Sequence, residues 1–291
     1  MQALLFPGQG SQFVGMGSEL FPYYPGLTSL ASELLGYDVQ ALCLKGPDEK
    51  LSSTLYTQPA VYVVNALCYF EKVRQGEGNA DILLGHSLGE YNALLAAGVF
   101  DFETGLELVQ ERARLMASAP EGGMTAVTGI QADELRSFLD SSKLSGIELV
   151  GFNSPRQTVI AGDSTTIETT HHLFREQKLN FYPLKVSAPF HSRHMADAAR
   201  QFSDYLQKYS FRSPSIPVLA NATASPYRDG NVAQLLAEQI ESPVRWQESV
   251  DNVLRSDPLT TFTEIRGDIL TRMVNECQIS KTVEYSAWCG N

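Results

Sequence analysis

"LLGHSLGEYNALLAAG" occupies Leu83 to Gly98, and its reading decides the fold. With Ile82 before it, the run "ILLG" is a short apolar segment ended by glycine, and an apolar helical pattern follows. The stretch therefore reads as a buried strand, a tight turn and a buried helix. Gly85-His86-Ser87-Leu88-Gly89 matches G-x-S-x-G in the strand-to-helix context that motif requires. The glycines make room for a strained turn that lifts the Ser87 hydroxyl from the sheet edge. There the N–H groups and dipole of a helix N-terminus favour a developing oxyanion. A chance match at an ordinary turn is the plainer alternative, and the correct flanks favour the nucleophile.

Outward from that turn, "QALLF" at residues 2–6 is a second buried strand, ended by Pro-Gly, and "TQPAVYVVNALCYFEKV" at 57–73 is a long buried helix with a proline in its first turn. Short buried strands alternating with helices predict an α/β domain with a mostly parallel sheet, α/β-hydrolase-like in its serine turn. Between 123 and 189 the texture changes to strand "MTAVTGI", helix "ADELRSFLDSS", strands "IELVGF" and "QTVIAG", helix "TTIETTHHLFREQK" and strand "FYPLKVS". That βαββαβ order is ferredoxin-like. It predicts a small domain, 123–189, inserted into a large discontinuous catalytic domain, 1–122 and 190–291. Beyond it "HSRHMADAARQFSDYLQ" reads as helix and "IPVLAN" as strand.

The chain of 291 residues is long enough to bury a large core, and its 22 Lys+Arg against 33 Asp+Glu give a net charge of −11, which argues against nucleic acid. Cysteines 43, 68, 277 and 289 lack metal-ligand spacing and read as buried thiols in a reducing compartment. The N-terminus has no basic segment before its short apolar run, and no window is long enough for a membrane span. The expectation is a soluble cytoplasmic protein without a metal, for which a monomer suffices.

"FPGQGSQ", Phe6 to Gln12, invites a dinucleotide-binding reading, but the third glycine would fall at Phe13. Such a turn can instead offer the Gln9 amide beside that of Leu88 as an oxyanion hole if the first strand neighbours the second. From spacing alone a plain glycine loop is the simpler reading.

In "FETGLELVQERARLMASA", Phe102, Gly105, Leu106, Leu108, Val109, Ala113 and Met116 share one side of a helix, and Arg112 is the one charge inside that arc. A buried guanidinium needs a partner, and its fork matches a carboxylate bidentately. A protein carboxylate and a ligand carboxylate remain equally open. Arg114 reads as a solvated charge.

A serine nucleophile needs a base. His86 sits within the turn and is expected to point away, while His171 and His172 are expected at the surface of the small domain. His191, where the chain leaves that domain, ranks ahead of His194, a capping or surface residue; the sequence alone puts neither within reach of Ser87.

"FPGQGSQ", "TQPA", "GHSLGEYNAL", "AGVFDFETGLELVQERARLM", "FNSPRQTVIAG", "VSAPFHS" and "SPVRW" occur in the order found in the malonyl-CoA:acyl carrier protein transacylases, and the chain resembles that family over nearly its whole length. It is most similar to the free-standing, trans-acting acyltransferases of polyketide synthases. The resemblance implies a ping-pong acyl transfer without a cofactor, from malonyl-CoA through an acyl-serine to the phosphopantetheine thiol of an acyl carrier protein. On matching positions it implies Ser87 as nucleophile, His191 as base, the Gln9 and Leu88 amides as oxyanion hole, and Arg112 as the malonyl carboxylate's partner. It places Gln239 in the segment supporting the histidine, Gln58 and Asn153 along the cleft, and Phe190 as the aromatic before the histidine in malonyl-selective members. One departure stands out: the family's glycine-proline-glycine turn is replaced within "FTEIRGDILTRM", with Arg266 and Asp268 in place of two of its residues. Arg193, Arg266 and Arg272 are candidate contacts for an acidic carrier protein, though scattered surface charge is the simpler reading. Rival functions are an acyl hydrolase of the same fold, for which a buried cation has no use, and a non-catalytic carrier-protein docking module. Another dicarboxylic acyl group would suit Arg112 equally.

Overall fold

The structure is a computed structural model that describes residues 1–142 and 144–289, with side chains described up to residue 280. Its strands are β1 (Gln2–Phe6), β2 (Ile82–Gly85), β3 (Gly123–Thr128), β4 (Glu148–Ser154), β5 (Gln157–Gly162), β6 (Asn180–Pro183), β7 (Val218–Leu219) and β8 (Thr261–Glu264). Four of them form a parallel sheet in the order β7-β2-β1-β8. Parallel strands are covered on both faces, which is why Ala3 to Phe6 and Leu83 to Leu84 are apolar without alternation and almost fully buried. The pairing of β1 with β2, Phe6 opposite Gly85, puts the turn after β1 directly beside the Ser87 turn.

The other four strands form a separate antiparallel sheet in the order β4-β5-β3-β6. With the helices Ala132–Ser141 and Ser164–Glu176 they realise the expected βαββαβ order. The two faces of this sheet do different work. Val127 and Ile160 pack with Leu135, Leu139, Ile167 and Phe174 of the helices, whereas Met124, Ala126, Val150 and Val159 face the cleft against the parallel sheet. We retain 1–122, 123–189 and 190–291 as the proposed division of the chain.

Two helices set the floor of the cleft. Thr54–Arg74 begins a turn earlier than expected, so Pro59 sits inside it rather than in its first turn. Phe102–Ala117 starts at Asp101, whose carboxylate accepts from the Thr104 N–H at 2.9 Å, a cap worth about 1 kcal/mol. It buries the apolar arc read from the sequence, Arg112 included. Elsewhere the elements are shorter than their patterns suggest: β6 ends at Pro183, β7 is two residues long, and the helix after His191 begins with a 3-10 turn at Arg193–Met195. Cys43, Cys68 and Cys277 are buried, while the Cys289 side chain lies outside those described. Among the described residues no helix is long and apolar enough to cross a membrane, and no group of three His, Cys, Asp or Glu residues is placed to hold a metal.

Candidate active site

The Ser87 turn is strained and cross-braced. Ser87 has φ 50°, a left-handed value that a residue with a side chain adopts at a cost of about 1–3 kcal/mol, and the surroundings hold it there. The Ser87 N–H donates to Asn221 Oδ1 at 2.6 Å, Asn221 Nδ2 donates to the Gly85 carbonyl at 2.7 Å, and Gln239 Nε2 donates to the Ser87 carbonyl at 2.9 Å. No side chain fits at either flanking glycine. A Cβ on Gly85 would lie 2.1 Å from the Glu90 nitrogen, and one on Gly89 1.9 Å from the Phe6 carbonyl oxygen.

Ser87 Oγ lies 2.8 Å from His191 Nε2, and His191 Nδ1 lies 2.8 Å from the Gln239 carbonyl oxygen. His191 itself has φ 62°, so serine and histidine both stand on left-handed backbone. Burial and the nearby Arg112 charge hold the imidazole down to about 3, against the weaker upward pull of the Gln239 carbonyl. The ring is therefore neutral at physiological pH.

Arg112 is 1 % exposed. Its Nη1 donates to Gln58 Oε1 at 2.6 Å, and its Nη2 to Gln239 Oε1 at 3.0 Å and to Ser87 Oγ at 3.1 Å. Its guanidinium carbon lies 5.5 Å from the centre of the Tyr91 ring. Among the described residues it forms no ion pair, and its buried Nε has no hydrogen-bond partner. A fully buried cation whose hydrogen bonds go to neutral oxygens, with Glu90 acting on it only through space, lacks the bidentate carboxylate its fork matches. Of the two partners left open by the sequence, a protein carboxylate is not the one present.

The loop Pro7–Gln12 follows β1 and packs against the serine turn closely enough that a Cβ on Gly8 would lie 2.3 Å from the His86 carbonyl oxygen and 3.5 Å from the Leu88 nitrogen. Neither the Gln9 nor the Leu88 N–H donates to another described group. Two unused amides beside a nucleophile are the arrangement an oxyanion needs. Gln9, Gln58, Ser87, Arg112, Phe190 and His191 line one cleft of about 560 Å³ between the two sheets. Asn153 lies on its wall, its Oδ1 2.9 Å from His86 Nε2. As expected, His86 turns away from the serine, and its ring lies against Trp246.

Some residues sit elsewhere than expected. His171 is not a free surface group: it hydrogen-bonds Thr125 Oγ1 at 2.7 Å and stacks on Phe181. His194 is partly buried with its Nε2 unpartnered, and Ser192 supplies the cap instead. Arg266 is not a surface contact, because it points inward to Asn65 and Ser11. Arg193 and Arg272 are exposed and paired with Glu148 and Asp268.

Sequence reasoning missed the support beneath the serine. Glu90 is completely buried and accepts hydrogen bonds from the Asn221 N–H at 2.9 Å, from Gln239 Nε2 at 3.0 Å and from the Tyr227 hydroxyl. Burial pushes its carboxyl up to about 7 in spite of those donors and Arg112. A glutamate within the apolar run "GEYNALLAAG" is the same signal that singled out Arg112, and it points to this group equally well.

Known proteins resemble this chain in sequence and in fold. The acyl transferase domain model matches residues 3–268. A polyketide biosynthesis protein of Burkholderia thailandensis is 45% identical over 95% of this chain, which spans 24% of that protein's length. A polyketide biosynthesis malonyl CoA-acyl carrier protein transacylase of Bacillus velezensis is 44% identical over 94% of this chain and 96% of its own. The crystal structure of a malonyl CoA-acyl carrier protein transacylase from Burkholderia pseudomallei superimposes with a TM-score of 0.93 at 43% identity, covering 96% of this chain and 98% of that one.

Proposed function

The chain belongs to the acyl transferase family, among its malonyl-CoA:acyl carrier protein transacylases, and from that premise we propose that it moves malonyl from malonyl-CoA to the phosphopantetheine thiol of a polyketide carrier protein. The observation that carries the malonyl assignment is Arg112, a buried cation beside the serine that forms no ion pair among the described residues.

In the proposed reaction His191 Nε2 takes the Ser87 proton as Oγ attacks the thioester carbonyl, and the Gln9 and Leu88 amides receive the oxyanion. Each such donor is worth about 3 kcal/mol of barrier. The tetrahedral adduct collapses, the carbon–sulfur bond breaks, and the coenzyme A thiolate leaves with the proton held by His191. The carrier thiol then gives its proton to His191 and attacks the acyl-serine carbonyl, and Ser87 Oγ leaves as the hydroxyl. Arg112 pairs with the malonyl carboxylate in both half-reactions. This fixes the acyl group for an incoming thiol and disfavours neutral acyl chains, which would leave the guanidinium without its partner.

A loading assay with malonyl-, acetyl- and succinyl-CoA and one phosphopantetheinylated carrier protein, scored for both transfer and hydrolysis, tests the reading. Malonyl transfer well above hydrolysis is expected. Hydrolysis without transfer would replace it with a hydrolase.

A further inference from the structure

After β8 the chain runs Ile265-Arg266-Gly267-Asp268, and the Arg266 side chain does not go to solvent. Arg266 Nε donates to Asn65 Oδ1 at 2.7 Å, Nη1 to the Ser11 carbonyl at 3.1 Å and Nη2 to Ser11 Oγ at 2.9 Å. Among the described residues no carboxylate pairs with it. Its partners are both tied to the Pro7–Gln12 loop. Asn65 Nδ2 donates to the Pro7 carbonyl at 2.8 Å, and Ser11 Oγ donates to the Gly8 carbonyl at 2.7 Å. Pro7, Gly8 and Ser11 bracket Gln9, which lines the cleft and whose N–H has no acceptor among the described residues.

We propose that Arg266 is a positioning residue that fixes the Gln9 amide for the tetrahedral intermediate, its guanidinium fork holding the loop through Ser11 and Asn65. The proposal rests on the transferase reading and on Gln9 as an oxyanion donor. A planar fork with donors in fixed directions clamps three acceptors at once, which a lysine cannot do. An oxyanion hole gains from such clamping because its donors must be in place before charge develops.

Single-turnover acylation by malonyl-CoA, followed by intact-protein mass spectrometry, tests it with wild type, Arg266→Ala, Arg266→Lys and Ser11→Ala. Arg266→Ala should lower the maximal acylation rate about 10- to 100-fold, with the half-saturating malonyl-CoA concentration within about two-fold of wild type. Added guanidinium ion should restore part of the rate, and Arg266→Lys should not. Ser11→Ala should show a smaller loss, again in rate alone. If Arg266→Ala fails to fold, an undiminished rate in Ser11→Ala overturns the proposal. So does an Arg266→Ala rate equal to wild type, or a loss confined to half-saturation without guanidinium rescue. Wild type that takes up no malonyl removes the transferase reading as well; wild type that loads beside an unaffected Arg266→Ala removes this proposal alone.

Discussion

The His191 imidazole is held by a main-chain carbonyl: its Nδ1 lies 2.8 Å from the oxygen of Gln239. A carbonyl only accepts, so Nδ1 carries the hydrogen and Nε2 is left to accept from the Ser87 hydroxyl 2.8 Å away. The tautomer follows from that single contact. A neutral carbonyl supports a charged imidazole less than a carboxylate would, and burial and Arg112 then dominate.

The pH dependence follows in sign. The base must be neutral, and its folded value of about 3 keeps it so far below the ordinary 6.5. The His191 limb in kcat/KM for malonyl-CoA should therefore lie near pH 3, and any inflection near 7, where the Glu90 carboxyl beneath the serine titrates, should vanish in Glu90→Gln. Once a malonyl carboxylate neutralises Arg112, the limb in kcat should lie higher than that in kcat/KM. Unfolded chains bind the His191 proton below about 6.5 and folded ones do not, so this group's contribution to stability is lost as pH falls from 6.5 toward 3. Denaturation across that range should show a shallower slope for His191→Gln. A kcat/KM limb near 6.5 that persists in Glu90→Gln would contradict the account.

Arg112→Ala should lower kcat/KM for malonyl-CoA by at least about 10²-fold, the cost of truncating one side of a buried charge pair. Because Gln58 and Gln239 also lose a donor, the deciding quantity is the malonyl-to-acetyl ratio, which should fall by the same order. An unchanged ratio would make the guanidinium purely structural.

Phe190 lines the cleft and is 4 % exposed, so Phe190→Ser opens space beside the acyl group. The ratio of methylmalonyl to malonyl loading should rise, with a stability loss of about 3 kcal/mol in denaturant titration. A ratio that stays put would move the specificity determinant elsewhere.

Gly89→Ala should prevent folding or cost more than about 3 kcal/mol, because its Cβ would lie 1.9 Å from the Phe6 carbonyl oxygen and both atoms belong to packed backbone. Gly26→Ala meets no atom within 4 Å inside the helix Pro25–Leu35 and should be neutral or stabilising by roughly 0.5 kcal/mol. Equal melting temperatures for the two variants would contradict the geometry.

The sequence carried the local part of this site well. Ser87 announces itself through glycine spacing, and Arg112 through one charge in an apolar arc, because both signals are complete within a few turns of chain. The framework holding them is not local. Asn221 braces a turn 134 residues away and Gln239 one 152 residues away, and no periodicity encodes such pairings. The βαββαβ order was legible from alternation, whereas the two-residue length of β7 is set by its neighbour β2 rather than by the apolar run "IPVLAN". Arg266 was read as surface charge because a lone arginine after a strand carries no sign of the loop it reaches.

The most direct test of an acyl-serine transferase is intact-mass spectrometry after brief exposure to malonyl-CoA, with peptide mapping and Ser87→Ala as control. One malonyl group per chain, mapped to Ser87, discharged by a carrier thiol and absent from Ser87→Ala, is the predicted result. No adduct on the wild type, or one that persists in Ser87→Ala, would contradict it.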